Sequence, residues 1–138
     1  MTVIVIPAHN EETTIADVVR KAQNHGHVLV VCDGCEDETL NEARRAGAQV
    51  LELCGKNGAG FATMRGVEEA LRWGADLIVT MDGDGQHSAG WIPDLISLLC
   101  RDYALAIGLR GIGWRRGRII ASWIFNFLTG ASWWHASQ

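Results

Sequence analysis

An α/β fold, a mostly parallel sheet with flanking helices, is what the 138-residue chain predicts, and three observations carry it. Short runs rich in Val, Ile and Leu alternate with longer segments of helical period, the pattern of strands that cross over through helices into a parallel sheet. Each run has the usual length of a strand. At 48% hydrophobic, the chain can bury one core, and one domain is the default for this length.

The first run, Val3-Ile4-Val5-Ile6, closes on Pro7 and reads as a strand. It has no charged leader and is too short for a signal peptide. Ile15, Val18, Val19 and Ala22 then recur at helical spacing, so a helix with one buried face is expected over 11–24. Further strands are expected at 28–32, 49–53, 76–81 and 104–108, ordered by right-handed crossovers. Helices fit 36–46, 61–73 and 91–100, with Asn10, Asp33 or Cys35, and Ser88 standing where a capping side chain or turn is expected. Trp73 and Trp91 read as core or edge packing, and no internal repeat occurs.

Composition narrows the partners. A net charge of -4 and a pI near 5.7 argue against a nucleic-acid binder, which needs a basic face to neutralise phosphates. Cys32, Cys35, Cys54 and Cys100 are too few and scattered for the disulfide frame of a small secreted domain, so a reducing cytoplasm is the simpler setting.

Residues 1–110 form the expected α/β domain, and 111–138 a basic and apolar tail. At 100° per residue, Arg115, Arg118, Ser122, Asn126 and Thr129 share one stripe of that tail, with Ile119, Trp123, Ile124 and Phe127 among the residues around the rest. Too short to span a bilayer, it fits an interfacial helix with arginines toward lipid headgroups, or a core helix awaiting a partner.

Asp82 and Asp84 follow the run Leu77 to Met81, at the carboxyl end of an expected strand, where open α/β sheets bind ligands. Two carboxylates around one glycine can offer hard oxygen ligands to a divalent cation, and Gly83 and Gly85 let backbone and phosphate approach closely. Alone, Asp-x-Asp is more often a solvated turn. It stands here with Val3 to Glu12 and Val30 to Thr39, all at strand ends and in order.

That set resembles family 2 of the inverting glycosyltransferases, of the GT-A fold, and within it the branch of dolichyl-phosphate and polyprenyl-phosphate sugar transferases. The likeness covers residues 2 to 129. It implies a nucleotide base and ribose site at Pro7, His9, Glu11, Val31 and Asp33, with Asp82 and Gly83 at the nucleotide sugar. It implies a Mg²⁺ or Mn²⁺ site at Asp82, Asp84 and Gln86, and a catalytic set of Asp82, Asp84 and Arg110, the arginine suiting phosphate by its planar fork. His87, beside the acidic motif, is a candidate to support it.

The chain departs from the family at several points. His9 stands where an aromatic is usual, Cys32-Asp33 where two acids are usual, and Ala59 where a lysine is usual in the segment Asn57 to Gly66. It ends at Gln138, ahead of a further sheet segment and a Ser-Gly-Phe-like acceptor motif, so the fold is expected to be incomplete at that side.

The expected activity is metal-dependent transfer, with inversion, from a GDP- or UDP-sugar to an acceptor, with a polyprenyl phosphate favoured over other glycan or lipid acceptors. Contact with a membrane surface or membrane protein is expected through 115–134, on the cytoplasmic face. Two rivals stand beside this: a non-catalytic remnant that only binds nucleotide or a membrane partner, and a redox protein built on Cys32-Asp33-Gly34-Cys35. Zinc is disfavoured, since no second Cys or His pair stands at ligand spacing.

Overall fold

The computed structural model describes residues 1–99. Four strands, β1 (Thr2–Ala8), β2 (His27–Asp33), β3 (Gln49–Leu53) and β4 (Leu77–Thr80), form one sheet in the order β3-β2-β1-β4, and every pairing is parallel. The helices are α1 (Ile15–Ala22), α2 (Thr39–Arg45), α3 (Ala59–Arg72) and α4 (Ile92–Leu99), the last led by a 3₁₀ turn, Ala89–Trp91.

Strand alternation sends β1 and β2 side chains to two different cores. Ile4, Ile6, Ala8, Val28 and Val30 meet Ile15, Val18, Val19 and Ala22 of α1, with Ala43 of α2 and Ile92 of α4 in the same cluster. Val3, Val5, Leu29 and Val31 face the other way, onto Ala62 and Ala70 of α3. Three layers result, helix on sheet on helix. Burying a Val, Leu or Ile side chain is worth about 1.5–3 kcal/mol, so the doubly covered strands anchor the domain. Gly66 lets α3 close on the sheet, because a Cβ there would stand 2.3 Å from Val5 Cγ1 and 2.8 Å from Val31 Cγ2.

Pro7 is the expected end residue of β1, yet it lies inside the strand, opposite Val31. The β4 pairing of β1 stops at Val5 opposite Thr80, so the missing Pro7 N–H leaves no ladder bond unmade on that side.

Two helices begin later than their periodicity suggests. α1 starts at Ile15 and not at residue 11, because the Glu11 N–H donates to Thr39 Oγ1 at 2.6 Å, a bond to the first residue of α2 that ties 11–14 away from the helix. Asn10 caps nothing on α1: at φ 55, its Oδ1 accepts from the Glu36 N–H at 2.9 Å. α2 starts at Thr39 and not at residue 36, with Asp37 Oδ1 accepting from the Thr39 N–H at 3.0 Å. Neither Asp33 nor Cys35 caps it. Ser88 does cap the 3₁₀ turn, accepting from the Gly90 N–H at 3.2 Å.

Trp73 packs against the α3-side core and donates from Nε1 to Glu69 at 3.0 Å. Trp91 does not pack as expected: it is 67% exposed, since Ala89 and Ile92 take the inward positions of its turn. The expected strand at 104–108, Arg110 and the tail from 111 lie outside the described residues. No helix among the described residues is long and apolar enough to cross a membrane.

Candidate nucleotide-sugar and metal site

Because all four strands are parallel, their carboxyl ends share one edge of the sheet, and the expected site residues that lie among the described ones collect there, Arg110 being outside them. They form two groups.

The acidic group joins the end of β4 to the start of α1. Thr14 Oγ1 donates to the Gly83 carbonyl at 3.0 Å, seating the Asp82-Gly83-Asp84 turn on the helix start. Gly83 is buried, and a Cβ there would stand 3.0 Å from Glu11 Oε2 and 3.3 Å from Ile15 Cδ1, so only glycine fits without displacing them. The Gln86 N–H donates to Asp84 Oδ1 at 2.8 Å and closes the turn. His87 Nδ1 lies 3.3 Å from Asp82 Oδ2. Partial burial pushes the Glu11 carboxyl above its ordinary value, and the Asp84 and Asp82 carboxylates push it further, against a Thr14 hydrogen bond. The Asp84 and Asp82 carboxylates therefore lie close enough to Glu11 for their negative charge to act on it.

That donor set fits a hard divalent cation. No three His, Cys, Asp or Glu side chains among the described residues converge as a complete protein cage. Ions of the Mg²⁺ type, however, bind through one or two carboxylates and complete their shell with substrate phosphates and water. Asp82 and Asp84 are the carboxylates that would hold one.

The second group joins the ends of β1, β2 and β3. His9 Nδ1 donates to the Asp33 carbonyl at 2.7 Å. The Asp33 carboxylate accepts from the Asn57 N–H at 2.9 Å, the Asn57 amide at 2.9 Å and the Gly58 N–H at 2.6 Å. Burial works to raise its pKa, but those bonds outweigh it and hold the carboxyl below the ordinary carboxylate range. Beside these residues opens a cavity of about 690 Å³, with His9, Asn10, Cys35, Glu36, Cys54 and Lys56 on its walls. Its volume lies in the range of small-molecule sites.

The structure gives the expected base residues unequal places. His9 lines the cavity. Val31 is fully buried against α3, so any part it takes in a nucleotide site is through its backbone. Asp33 is 3% exposed and its oxygens are engaged by the loop at 57–58, so it organises the cavity wall. Pro7 is half-buried within β1, and Glu11 stands with the acidic group.

Three contributors were not expected: Thr14, Thr39 and Asn57. Asn57-Gly58 is a turn signal that marks a loop. Nothing local distinguishes Thr14 or Thr39, whose partners lie 69 and 28 residues away.

The profile described as Glycosyl transferase family 2 matches residues 3–127. The chain belongs to that family. Among its relatives, the UDP-N-acetylglucosamine–dolichyl-phosphate N-acetylglucosaminyltransferase of Methanococcus voltae is 31% identical, over 72% of this chain and 47% of its own. The polyprenol monophosphomannose synthase of Mycolicibacterium smegmatis is also 31% identical, over 79% of this chain and 44% of its own. This family 2 chain thus spans about half the length of the curated relatives it matches. Its fold is similar to that of glucosyl-3-phosphoglycerate synthase from Mycobacterium tuberculosis, solved with Mn²⁺, UDP-glucose and phosphoglyceric acid. That likeness has a TM-score of 0.60 and 26% identity, and covers 72% of this chain and 39% of the other. The parallel sheet and flanking helices are those of the GT-A glycosyltransferases.

Proposed function

We propose that this chain binds a nucleoside-diphosphate sugar along the carboxyl edge of the sheet, and that the whole protein moves the sugar, with inversion, to a polyprenyl phosphate. The observation that carries the reading is the seating of Asp82-Gly83-Asp84 on Glu11 and Thr14, which brings its carboxylates within electrostatic reach of Glu11 at the same edge of the sheet as the cavity beside His9.

The cavity by His9 and Lys56 takes the base and ribose, and the diphosphate runs toward Asp82 and Asp84. Gly83 keeps that turn close to the helix start. Asp82 and Asp84, with Gln86 assigned to the same ion by family resemblance, would hold a divalent cation, which when bound would neutralise charge on the leaving diphosphate. An acceptor phosphate oxygen forms the new bond to the anomeric carbon, on the side opposite the breaking bond to the diphosphate. Such a phosphate is already anionic near neutral pH and needs no strong general base.

The relatives that act on dolichyl phosphate and polyprenol support this acceptor. Arg110 is assigned to phosphate, and the basic edge of 115–134 to the headgroups of the inner membrane face.

The reading is tested by incubating the protein with membranes, Mn²⁺ and labelled UDP- and GDP-sugars. Labelled lipid from one donor is the expected result. Label only in a water-soluble hydroxyl acceptor overturns the lipid assignment, and no product from any donor reduces the chain to a binding remnant.

A further inference from the structure

Cys32 and Cys35 form a disulfide, with their Cα atoms 5.7 Å apart, so the pair closes a four-residue ring at the end of β2 rather than bracing the fold. Its two sulfurs are unequal. Cys32 is fully buried, whereas Cys35 is half-buried and lies on the cavity wall, where a reagent in the cavity can reach it.

The ring is tied to the walls of the cavity in three places. Within it, the Asp33 carbonyl accepts from His9, at the end of β1. The Asp33 carboxylate holds the Asn57 and Gly58 N–H groups, at the loop after β3. Gly34, at φ 62, packs so closely on that loop that a Cβ would lie 2.7 Å from the Gly55 carbonyl.

We infer that Cys32 and Cys35 are a thiol–disulfide exchange site that takes dithiol reductants and governs how firmly the cavity walls are held. A thiolate of the reductant attacks Cys35 Sγ, the S–S bond breaks and Cys32 leaves as a thiolate. The second thiol of the reductant then displaces Cys35 and departs as the reductant's own disulfide, so the pair gains two electrons and two protons. The Ala8 carbonyl, 3.6 Å from Cys35 Sγ, can accept from the Cys35 thiol so formed. Two separate thiols need more room than one S–S bond, and Cys32 has no exposed space to move into. The turn therefore opens, the bonds made by Asp33 and Gly34 loosen, and the cavity loses its preorganisation.

The effect on a ligand rests on the nucleotide reading given above; the effect on the loop does not. The test uses the full chain carrying C54S and C100S, which leaves Cys32 and Cys35 as its only cysteines. The protein is equilibrated with glutathione disulfide or with dithiothreitol, and thiols are scored by maleimide labelling. Amide hydrogen exchange at Asn57, Gly58 and Ile6 is followed in both states, and UDP binding with Mn²⁺ is measured by calorimetry. The expected result is a pair that forms and opens reversibly, with exchange at Asn57 and Gly58 about tenfold faster when reduced and Ile6 unchanged. UDP should bind about tenfold more weakly to the reduced protein, and C32S/C35S should match that state. Equal exchange in both states overturns the inference, as does a pair that stays reduced in glutathione disulfide. Acceleration that extends to Ile6 also overturns it, since the pair would then hold the fold and not the site. Loop exchange that responds as expected while neither state binds UDP supports the exchange site and overturns the nucleotide reading.

Discussion

The Thr14 hydroxyl donates to the carbonyl of Gly83 at 3.0 Å, fastening the acidic turn to the start of a helix 69 residues earlier in the chain. This bond fixes the backbone between Asp82 and Asp84, so it should act on metal-dependent binding more than on stability. Thr14→Val keeps the shape and removes the donor. Titration of UDP binding against Mn²⁺ should show about a three- to tenfold loss in T14V, with T14S close to the unsubstituted protein. Equal losses in both variants would mean that the hydroxyl is not the cause.

Gly83→Ala tests the close approach from the other partner. The added Cβ would meet the flexible end of Glu11 at 3.0 Å and Ile15 at 3.3 Å. Urea unfolding should show a cost at the low end of the about 1–3 kcal/mol typical of overpacking, because Glu11 can swing aside. Binding of UDP with Mn²⁺ should fall further than that loss of stability explains.

The strands were legible because burial on both faces demands unbroken runs such as Val3 to Ile6 and Val28 to Val31. The face of α1 was legible for a similar reason, since Ile15, Val18, Val19 and Ala22 all reach the core. Helix starts were not, because Glu11 and Asn10 bond to Thr39 and Glu36, partners that chain separation hides. Asp82 and Asp84 stood out as candidates through their place after a strand and in order with the other strand-end motifs, whereas Thr14 was missed because its partner exists only once β4 and α1 are packed together. The Cys-x-x-Cys spacing was visible, but its link to the cavity runs through Asp33 and the loop at 57–58.

Asp33→Asn should release that loop. An amide in place of the carboxylate brings its own N–H donors against those of Asn57 and Gly58, at a cost of about 1–3 kcal/mol for bonds lost in a buried site. The folded carboxyl lies below its ordinary value of 3.8, so its contribution is fully present above that pH and is lost as pH falls through the lower folded value. Denaturant midpoints followed from neutral pH to below 3.8 should fall more steeply for the unsubstituted protein than for D33N.

Gly66→Ala places a Cβ 2.3 Å from Val5 Cγ1 and 2.8 Å from Val31 Cγ2, both in the buried core on the α3 side. The fold should lose about 1–3 kcal/mol, read from urea unfolding. Any UDP that still binds to the folded fraction should bind with unchanged Mn²⁺ dependence, since α3 does not touch the acidic turn through this residue.

The central claim is that Asp82 and Asp84 hold a divalent cation against a nucleotide diphosphate. Calorimetric titration of UDP into the full chain, with and without Mn²⁺, repeated on D84A, tests it most directly. The account predicts binding that depends on Mn²⁺ in the unsubstituted chain and is abolished in a folded D84A variant. Unchanged Mn²⁺-dependent binding in D84A would contradict it.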